Sequence, residues 1–143
     1  MRQWTWLYPA VEIAHIAGFV LVVGAAVMFD LRLLGLSRQL AVSQMARHLL
    51  PWSWAGLSLV FPSGLLMFTA HATEMAANPA FRLKLGLLAV AGLNAIVFEW
   101  WTLRSVARWD RDTTAPAAAR IAGIVSLVVW TGVISCGRLL AYL

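Results

Sequence analysis

Two pairs of ionisable side chains lie within long apolar stretches of this sequence. Glu12 and His15 are three residues apart, and His71 and Glu74 repeat that spacing. Residues three apart share one face of an α-helix, so each pair should present a carboxylate and an imidazole together. Because ionisable groups are costly inside apolar helices, all four residues are candidates for function.

The two histidines have the arrangement that a b-type haem requires. His15 follows Pro9 by six residues and His71 precedes Asn78 by seven, so on antiparallel helices both fall about 10 Å from the helix ends. Two imidazoles at one depth can supply both axial ligands, and Gly18, one turn from His15, would leave space beside the ring. The alternative is that each histidine bonds a neighbouring glutamate or carbonyl and only joins two helices.

Two cations fall near the same helix ends as these groups. Arg138 and Lys84 would either neutralise Glu12 and Glu74 or hold the propionates of a haem. The predicted cofactor site therefore includes Arg138 as well as the histidines.

A metal site is the competing chemical interpretation. Met67, His71 and Met75 are spaced four apart on one predicted helix face, and Cys136 approaches the same layer from the last apolar stretch. Thioether, imidazole and thiolate ligands together favour Cu(I). A carboxylate-bridged site with two metal ions, built from Glu12, His15 and the second Glu/His pair, would be short of ligands.

The composition indicates a membrane protein of one domain. Of the 143 residues, 62% are hydrophobic and 12% charged, with a mean hydropathy of +0.79. A soluble domain is about half apolar and about a quarter charged. The net charge of +5 comes mostly from arginines in short connections, which is a topology signal and not a nucleic-acid surface. No glycine-rich phosphate loop, serine nucleophile elbow or HExxH motif is present, which argues against a hydrolase.

Four stretches are long enough to cross about 30 Å of hydrocarbon. They are residues 9–29, 49–70, 81–103 and 117–143. A lone segment in lipid must satisfy its backbone internally, so all four should be helices. The sequence predicts an all-α, up-down-up-down four-helix bundle over residues 1–143, with a short separate surface helix at residues 37–48.

The basic residues predict the orientation of this bundle. One side carries Arg32, Arg38, Arg47, Arg104, Arg108, Arg111 and Arg120, and the other carries Arg2, Arg82, Lys84 and Arg138. The excess places the first side in the cytoplasm and both termini outside. The aromatic residues predicted as interfacial anchors are Trp4, Trp6, Tyr8 and Tyr142 outside and Trp52, Trp54, Trp100, Trp101 and Trp109 inside.

Three short sequences carry a resemblance to a known family. They are residues 29–35, Phe-Asp-Leu-Arg-Leu-Leu-Gly; residues 78–84, Asn-Pro-Ala-Phe-Arg-Leu-Lys; and residues 136–142, Cys-Gly-Arg-Leu-Leu-Ala-Tyr. Together they resemble a family of small, uncharacterised bacterial four-helix inner-membrane proteins, more distantly similar to the membrane part of copper-resistance protein D. The resemblance implies fold and membrane, and slightly favours copper. Some members have a histidine near the position of Glu99, and this departure weakens any ligand role there.

Two functions of different classes follow. The first is a small redox protein that holds haem b between His15 and His71 and passes electrons from quinol to an external acceptor. The second is a cofactor-free accessory or oligomeric subunit that packs against other membrane proteins or further copies of this chain. Copper binding or transport is a third. The discriminating feature is whether the two histidines converge on a space or on separate hydrogen bonds.

Overall fold

The computed structural model describes residues 5–143, so Arg2 and Trp4 lie outside the described residues. Residues 5–143 form helices and turns without a β-strand, which confirms the all-α class. The α-helices are α1 (Leu7–Leu33), α2 (Val42–Ala70), α3 (Ala72–Ala77), α4 (Pro79–Val97) and α5 (Ala117–Leu139). A π-helical segment, Phe98–Thr102, and a 3₁₀ segment, Leu103–Arg108, continue from α4.

Four helical stretches are long and apolar enough to cross a membrane. They are Leu7–Leu33, Val42–Ala70, Pro79–Arg108 and Ala117–Leu139. Large apolar side chains cover their outward faces, among them Phe61, which is 78% exposed. Contiguous apolar surface of this kind suits contact with hydrocarbon better than contact with water.

The central helix of the bundle is α1. It packs against α2 and α5, and α4 packs against α5. Gly18, in the first half of α1, meets Gly56 in the middle of α2, and Tyr8 near the start of α1 meets His71 at the end of α2, so these two helices are antiparallel. Along their lengths α2 and α4 share little contact, and the stacked rings of Phe68 and Phe81 join them at one end. One side of the bundle is therefore open.

The bundle has two chemically different ends. The terminal end contains α3 and residues 5–8 and 139–143, and the arginine-rich end contains residues 34–41 and 98–116. A buried apolar cluster closes the arginine-rich end and consists of Leu33, Val42, Phe98, Trp109, Ala115 and Ala119. A second cluster, of Ala91, Val129 and Val133, lies midway between α4 and α5.

The start of α2 differs from the expectation. α2 runs without interruption from Val42 to Ala70, so a separate surface helix at residues 37–48 is wrong. Ala41 precedes the helix and has no side chain that could cap it. A carboxylate from a distant loop, Asp110, supplies the missing acceptor, and the helix can therefore begin earlier than its own sequence indicates.

The third apolar stretch also departs from a regular helix. After Val97 the backbone widens into the π-helical segment and then tightens into the 3₁₀ segment. Phe98 turns inward, and its ring meets Phe29 edge-on at 5.5 Å. Trp109 is 5% exposed and donates from Nε1 to Oγ of Ser105. The prediction of Trp109 as an interfacial anchor is therefore wrong, because its ring fills the core of the arginine-rich end.

Candidate functional site

His15 of α1 is hydrogen-bonded to α2 through one ring nitrogen. Nδ1 lies 3.2 Å from the carbonyl oxygen of Val60 and 3.0 Å from Oγ of Ser63. The Ser63 hydroxyl donates its own proton to the carbonyl of Leu59. Because a carbonyl oxygen can only accept, the proton of the neutral imidazole is on Nδ1 and the lone pair is on Nε2. His15 thus joins two helices and still presents one nitrogen as a potential ligand.

Glycines set how closely α1 approaches α2 around this histidine. A Cβ atom on Gly64 would lie 3.1 Å from Cε1 of His15, so the missing side chain makes room for the imidazole. A Cβ atom on Gly18 would lie 2.7 Å from the carbonyl oxygen of Gly56. Gly18 therefore allows two backbones to touch. In this structure it does not open the space beside His15 that the haem hypothesis assigns to it.

His71 lies at the junction of α2 and α3 and is exposed. Its ring packs edge-on against Tyr8, with the centroids 5.5 Å apart. Tyr8 precedes His15 by seven residues of α1, which corresponds to about 10 Å along the helix axis. His71 is therefore about two turns nearer the terminal end than His15. The structure does not bring the two imidazoles together, and haem ligation by this pair stays a prediction.

The residues of the copper hypothesis lie on separate elements. α2 ends at Ala70 and α3 begins at Ala72, so the helix is interrupted at His71, between Met67 and Met75. Cys136 is on α5, which does not pack along α2. Within residues 5–143 no group of three or more His, Cys, Asp or Glu side chains is placed to hold a metal ion. The copper site, too, stays a prediction.

The acidic residues and Arg138 at the terminal end face outward. Glu12 and Glu74 are both exposed. Arg138 donates a 2.7 Å hydrogen bond to Oη of Tyr142, and its guanidinium lies 4.9 Å from the centre of that ring. The guanidinium of Arg138 is therefore bonded to Tyr142, one turn further along the same chain. Lys84 is half-buried against α5, with Nζ 3.8 Å from the position of a Cβ on Gly137.

A single buried arginine connects the two loops of the arginine-rich end. Arg32 is 1% exposed. Its Nε donates to the carbonyl of Leu40 at 2.7 Å, and its Nη2 donates to the carbonyls of Arg38 at 3.3 Å and Asp110 at 3.1 Å. The position of Arg32 in the sequence predicts a topology-determining cation, but its burial and its three hydrogen bonds show that it is an internal cross-link.

Asp110 caps α2 from the opposite loop. Its Oδ1 accepts from the Ser43 backbone N–H and its Oδ2 from the Ser43 hydroxyl, both at 2.8 Å. Its carbonyl accepts from the N–H of Val42 at 3.0 Å. These bonds satisfy backbone donors that the first turn of a helix leaves unpaired. No local sequence pattern indicates this role, because 67 residues separate the partners.

This cap predicts a pH dependence of stability. Hydrogen bonds from Ser43, and then the charges of Arg111 and Arg32, hold the pKa of Asp110 below its usual value. The unfolded chain therefore binds the proton more readily, so the stabilisation is complete above the ordinary aspartate pKa of about 3.9 and is lost as the pH falls through the lower folded-state pKa. We expect the melting temperature of the wild type to exceed that of Asp110→Asn at pH 6. The difference should shrink below about pH 4.

Thermal melts of the detergent-solubilised protein between pH 6 and about pH 2.5 measure this difference. Asp112→Asn is the matched control, because Asp112 is an exposed carboxylate in the same loop. Melting curves of wild type and Asp110→Asn that stay equally far apart at every pH would contradict the role of the carboxylate charge.

Asp30 and Asn94 are further polar groups between helices. Asn94 of α4 donates to the carbonyl of Ala122 on α5 at 3.0 Å. Asp30 is 5% exposed, and its Oδ2 has no hydrogen-bond partner in the described part of the chain. Glu99 is exposed and Arg32 bonds to the loops, so neither of them forms an ion pair with Asp30 in the described part of the chain.

Comparison with protein families, curated proteins and solved structures finds no significant match to this chain. The functional conclusion therefore depends on the chain's own residues and their geometry.

Proposed function

We propose that this chain is an integral membrane protein of the bacterial inner membrane, a self-associating accessory subunit that works without a bound cofactor. The four long apolar helices support insertion. The excess of arginines supports a cytoplasmic position for the arginine-rich end and an outer position for both termini. The lipid bilayer is then the principal environment of the outward-facing side chains.

The observation that carries the proposal is that interior polar side chains donate hydrogen bonds to backbone carbonyls of other elements. His15 donates to the carbonyl of Val60 on another helix, and Asn94 does the same to Ala122. Arg32 donates to three loop carbonyls. Hydrogen bonds of this kind hold transmembrane helices together. These three polar residues thus stabilise the bundle, which leaves the outward surfaces for contact with other molecules.

The open side of the bundle favours association with further helices. α4 packs along α5 but shares little contact with α2. It exposes small residues along its length, namely Gly86, Ala89, Gly92 and Ala95. A Cβ atom on Gly86 or Gly92 would meet nothing within 4 Å. Small residues let transmembrane helices approach closely, so the geometry suits a second copy of this chain packed against α4.

Self-association can be tested with a substitution that the monomer tolerates. We expect the wild type in lipid nanodiscs to have the mass of two or more copies. Gly92→Leu should give single copies, because the new side chain projects from the contact face without meeting its own bundle. Gly24→Leu is the matched control, since Gly24 is equally exposed and equally free of neighbours but lies on α1. Mass photometry measures the copy number.

A single-copy wild type would overturn self-association, and so would an oligomer that Gly92→Leu leaves intact. If Gly24→Leu dissociates the oligomer as well, the contact does not involve α4 specifically.

A b-type cytochrome is the second candidate, and one observation favours it. The proton on Nδ1 of His15 leaves Nε2 as the nitrogen that could bind iron, and metal-binding histidines characteristically donate their other N–H to a carbonyl. Such a protein would exchange electrons with quinol and an outer acceptor. Against this candidate, the predicted second ligand, His71, lies about two helical turns away.

The visible spectrum of the purified chain distinguishes the two candidates. We expect no Soret band before or after dithionite and no stoichiometric iron or copper. A Soret band that His15→Ala removes would establish the second candidate instead, and stoichiometric copper without absorption by haem would favour copper binding.

A further inference from the structure

The arginine-rich end contains a groove that the proposed function does not use. It has a volume of about 370 Å³ and lies between the first turns of α2 and the 3₁₀ segment. Its lining residues are Ser43, Ala46, Arg47, Leu50, Leu103 and Val106. The volume is within the range of about 300 to 1,000 Å³ that is typical of small-molecule sites.

The lining of this groove changes from polar to apolar along α2. Ser43 and Arg47 stand at the loop end, and Leu50 follows one turn further into the span. Leu103 and Val106 form the opposite wall. The Ser43 hydroxyl is already bonded to Asp110, so Arg47 is the charged group that the groove offers to a ligand. A molecule that fits must carry an anionic group beside an apolar chain.

The groove exists because two elements depart from regular packing. α2 begins at Val42, so residues 42–48 are helical and Arg47 lies on the second turn of the helix. The backbone of the third stretch changes to π and then 3₁₀ geometry, and α2 does not pack along α4. The space between the two walls is therefore not filled by helix packing.

The charge around this groove is strongly positive. Exposed arginines at this end are Arg38, Arg47, Arg104, Arg108, Arg111 and Arg120. The exposed carboxylates of this end are Glu99 and Asp112, and the half-buried carboxylate of Asp110 is bonded to the Ser43 hydroxyl beside the groove. Basic pockets between helices on the cytoplasmic side of a membrane attract anionic lipid headgroups. Guanidinium groups are well shaped for phosphate because they can donate two parallel hydrogen bonds.

We propose that this groove binds one anionic phospholipid of the cytoplasmic leaflet, with its phosphate on Arg47 and one acyl chain against Leu50, Leu103 and Val106. The inference rests on the membrane insertion in the proposed function. It does not depend on self-association, because the groove and the small-residue face of α4 are different surfaces.

The test is native mass spectrometry of the chain released from nanodiscs that contain equal amounts of phosphatidylglycerol and phosphatidylcholine. We expect one retained phosphatidylglycerol per chain and about a tenfold preference over phosphatidylcholine, because the choline cation offsets the phosphate charge and is repelled by the arginines around the groove. Arg47→Gln should abolish the preference. Arg120→Gln is the control, because Arg120 is exposed at the same end but does not line the groove.

A second variant tests the apolar part of the site. Leu50→Trp should fill the groove and reduce lipid retention while Arg47 remains, and Leu50 is 49% exposed, so the larger ring does not disturb the core. Equal retention of the two lipids by the wild type would overturn the proposal, as would an Arg47→Gln variant that keeps the preference. Retention of lipid by single copies would refute self-association alone, and lipid-free oligomers would refute the groove alone.

Discussion

Arg32→Ala should destabilise the protein more than any other single substitution at an arginine. The change leaves the carbonyl of Leu40 without a donor, removes one of the two donors to the carbonyls of Arg38 and Asp110, and empties a fully buried site. An acceptor that loses its charged donor costs about 1 to 3 kcal/mol, and the emptied site adds a loss of packing, so we expect the free energy of unfolding to fall by about 3 kcal/mol. The melting temperature should fall by roughly 10 °C.

Thermal melts in mild detergent, followed by tryptophan fluorescence, measure this effect, with Arg38→Ala as the control. Arg38 is exposed and contributes its carbonyl to the same network, so removal of its side chain leaves the bonds to Arg32 in place. Arg32→Lys should recover only part of the loss, because one ammonium lacks the planar geometry of a guanidinium. If Arg32→Ala had the same melting temperature as the wild type, the two loops would not depend on this side chain.

Gly18→Leu should separate α1 from α2. The first atom of the new side chain would lie 2.7 Å from both the carbonyl oxygen of Gly56 and Cβ of Leu59, and the backbone atom cannot move aside alone. Overpacking of this kind costs typically 1 to 3 kcal/mol, and a leucine at a backbone contact belongs at the upper limit. The shift should also break the hydrogen bonds from His15 to Val60 and Ser63, which lie on the same pair of helices.

Gly24→Ala provides the comparison, because a Cβ atom there meets nothing within 4 Å. We expect its melting temperature to stay close to that of the wild type. The NMR signal of the His15 Nδ1–H, in a protein labelled with ¹⁵N-histidine, reports the bond to α2 directly. It should disappear by exchange in Gly18→Leu and persist in Gly24→Ala. Retention of that signal in Gly18→Leu would mean that the helices do not depend on this contact.

The sequence was most informative where the solvent dictates the structure. Long apolar stretches in lipid have to be helical, so the number of long helices and the break at Asn78, whose side chain accepts from Ala80 N–H, follow from local chemistry. The beginning of α2 could not be derived this way, because its cap comes from Asp110. The change of backbone geometry after Val97 could not be predicted either, because no proline or glycine marks it in the sequence. It coincides with the burial of Phe98.

The positions of single side chains in the candidate site also depend on packing between helices, which the sequence does not reveal. Counting residues from helix ends placed His15 and His71 at one depth. Depth, however, depends on the register between α1 and α2, and the close contact of Gly18 with Gly56 marks that register. The partner of His15, Ser63, was identifiable as a hydroxyl in an apolar stretch, but only the packing shows which face of α2 it occupies.

The cap of α2 by Asp110 has a consequence for synthesis. The helix and its cap are 67 residues apart, so at about 5 to 20 residues per second the ribosome makes the cap roughly 3 to 13 s after it has made the helix start. During that interval α1 and α2 can pair through their glycines, but the first turn of α2 has unpaired N–H groups. The arginine-rich end of the nascent protein therefore becomes native later than the contact between α1 and α2.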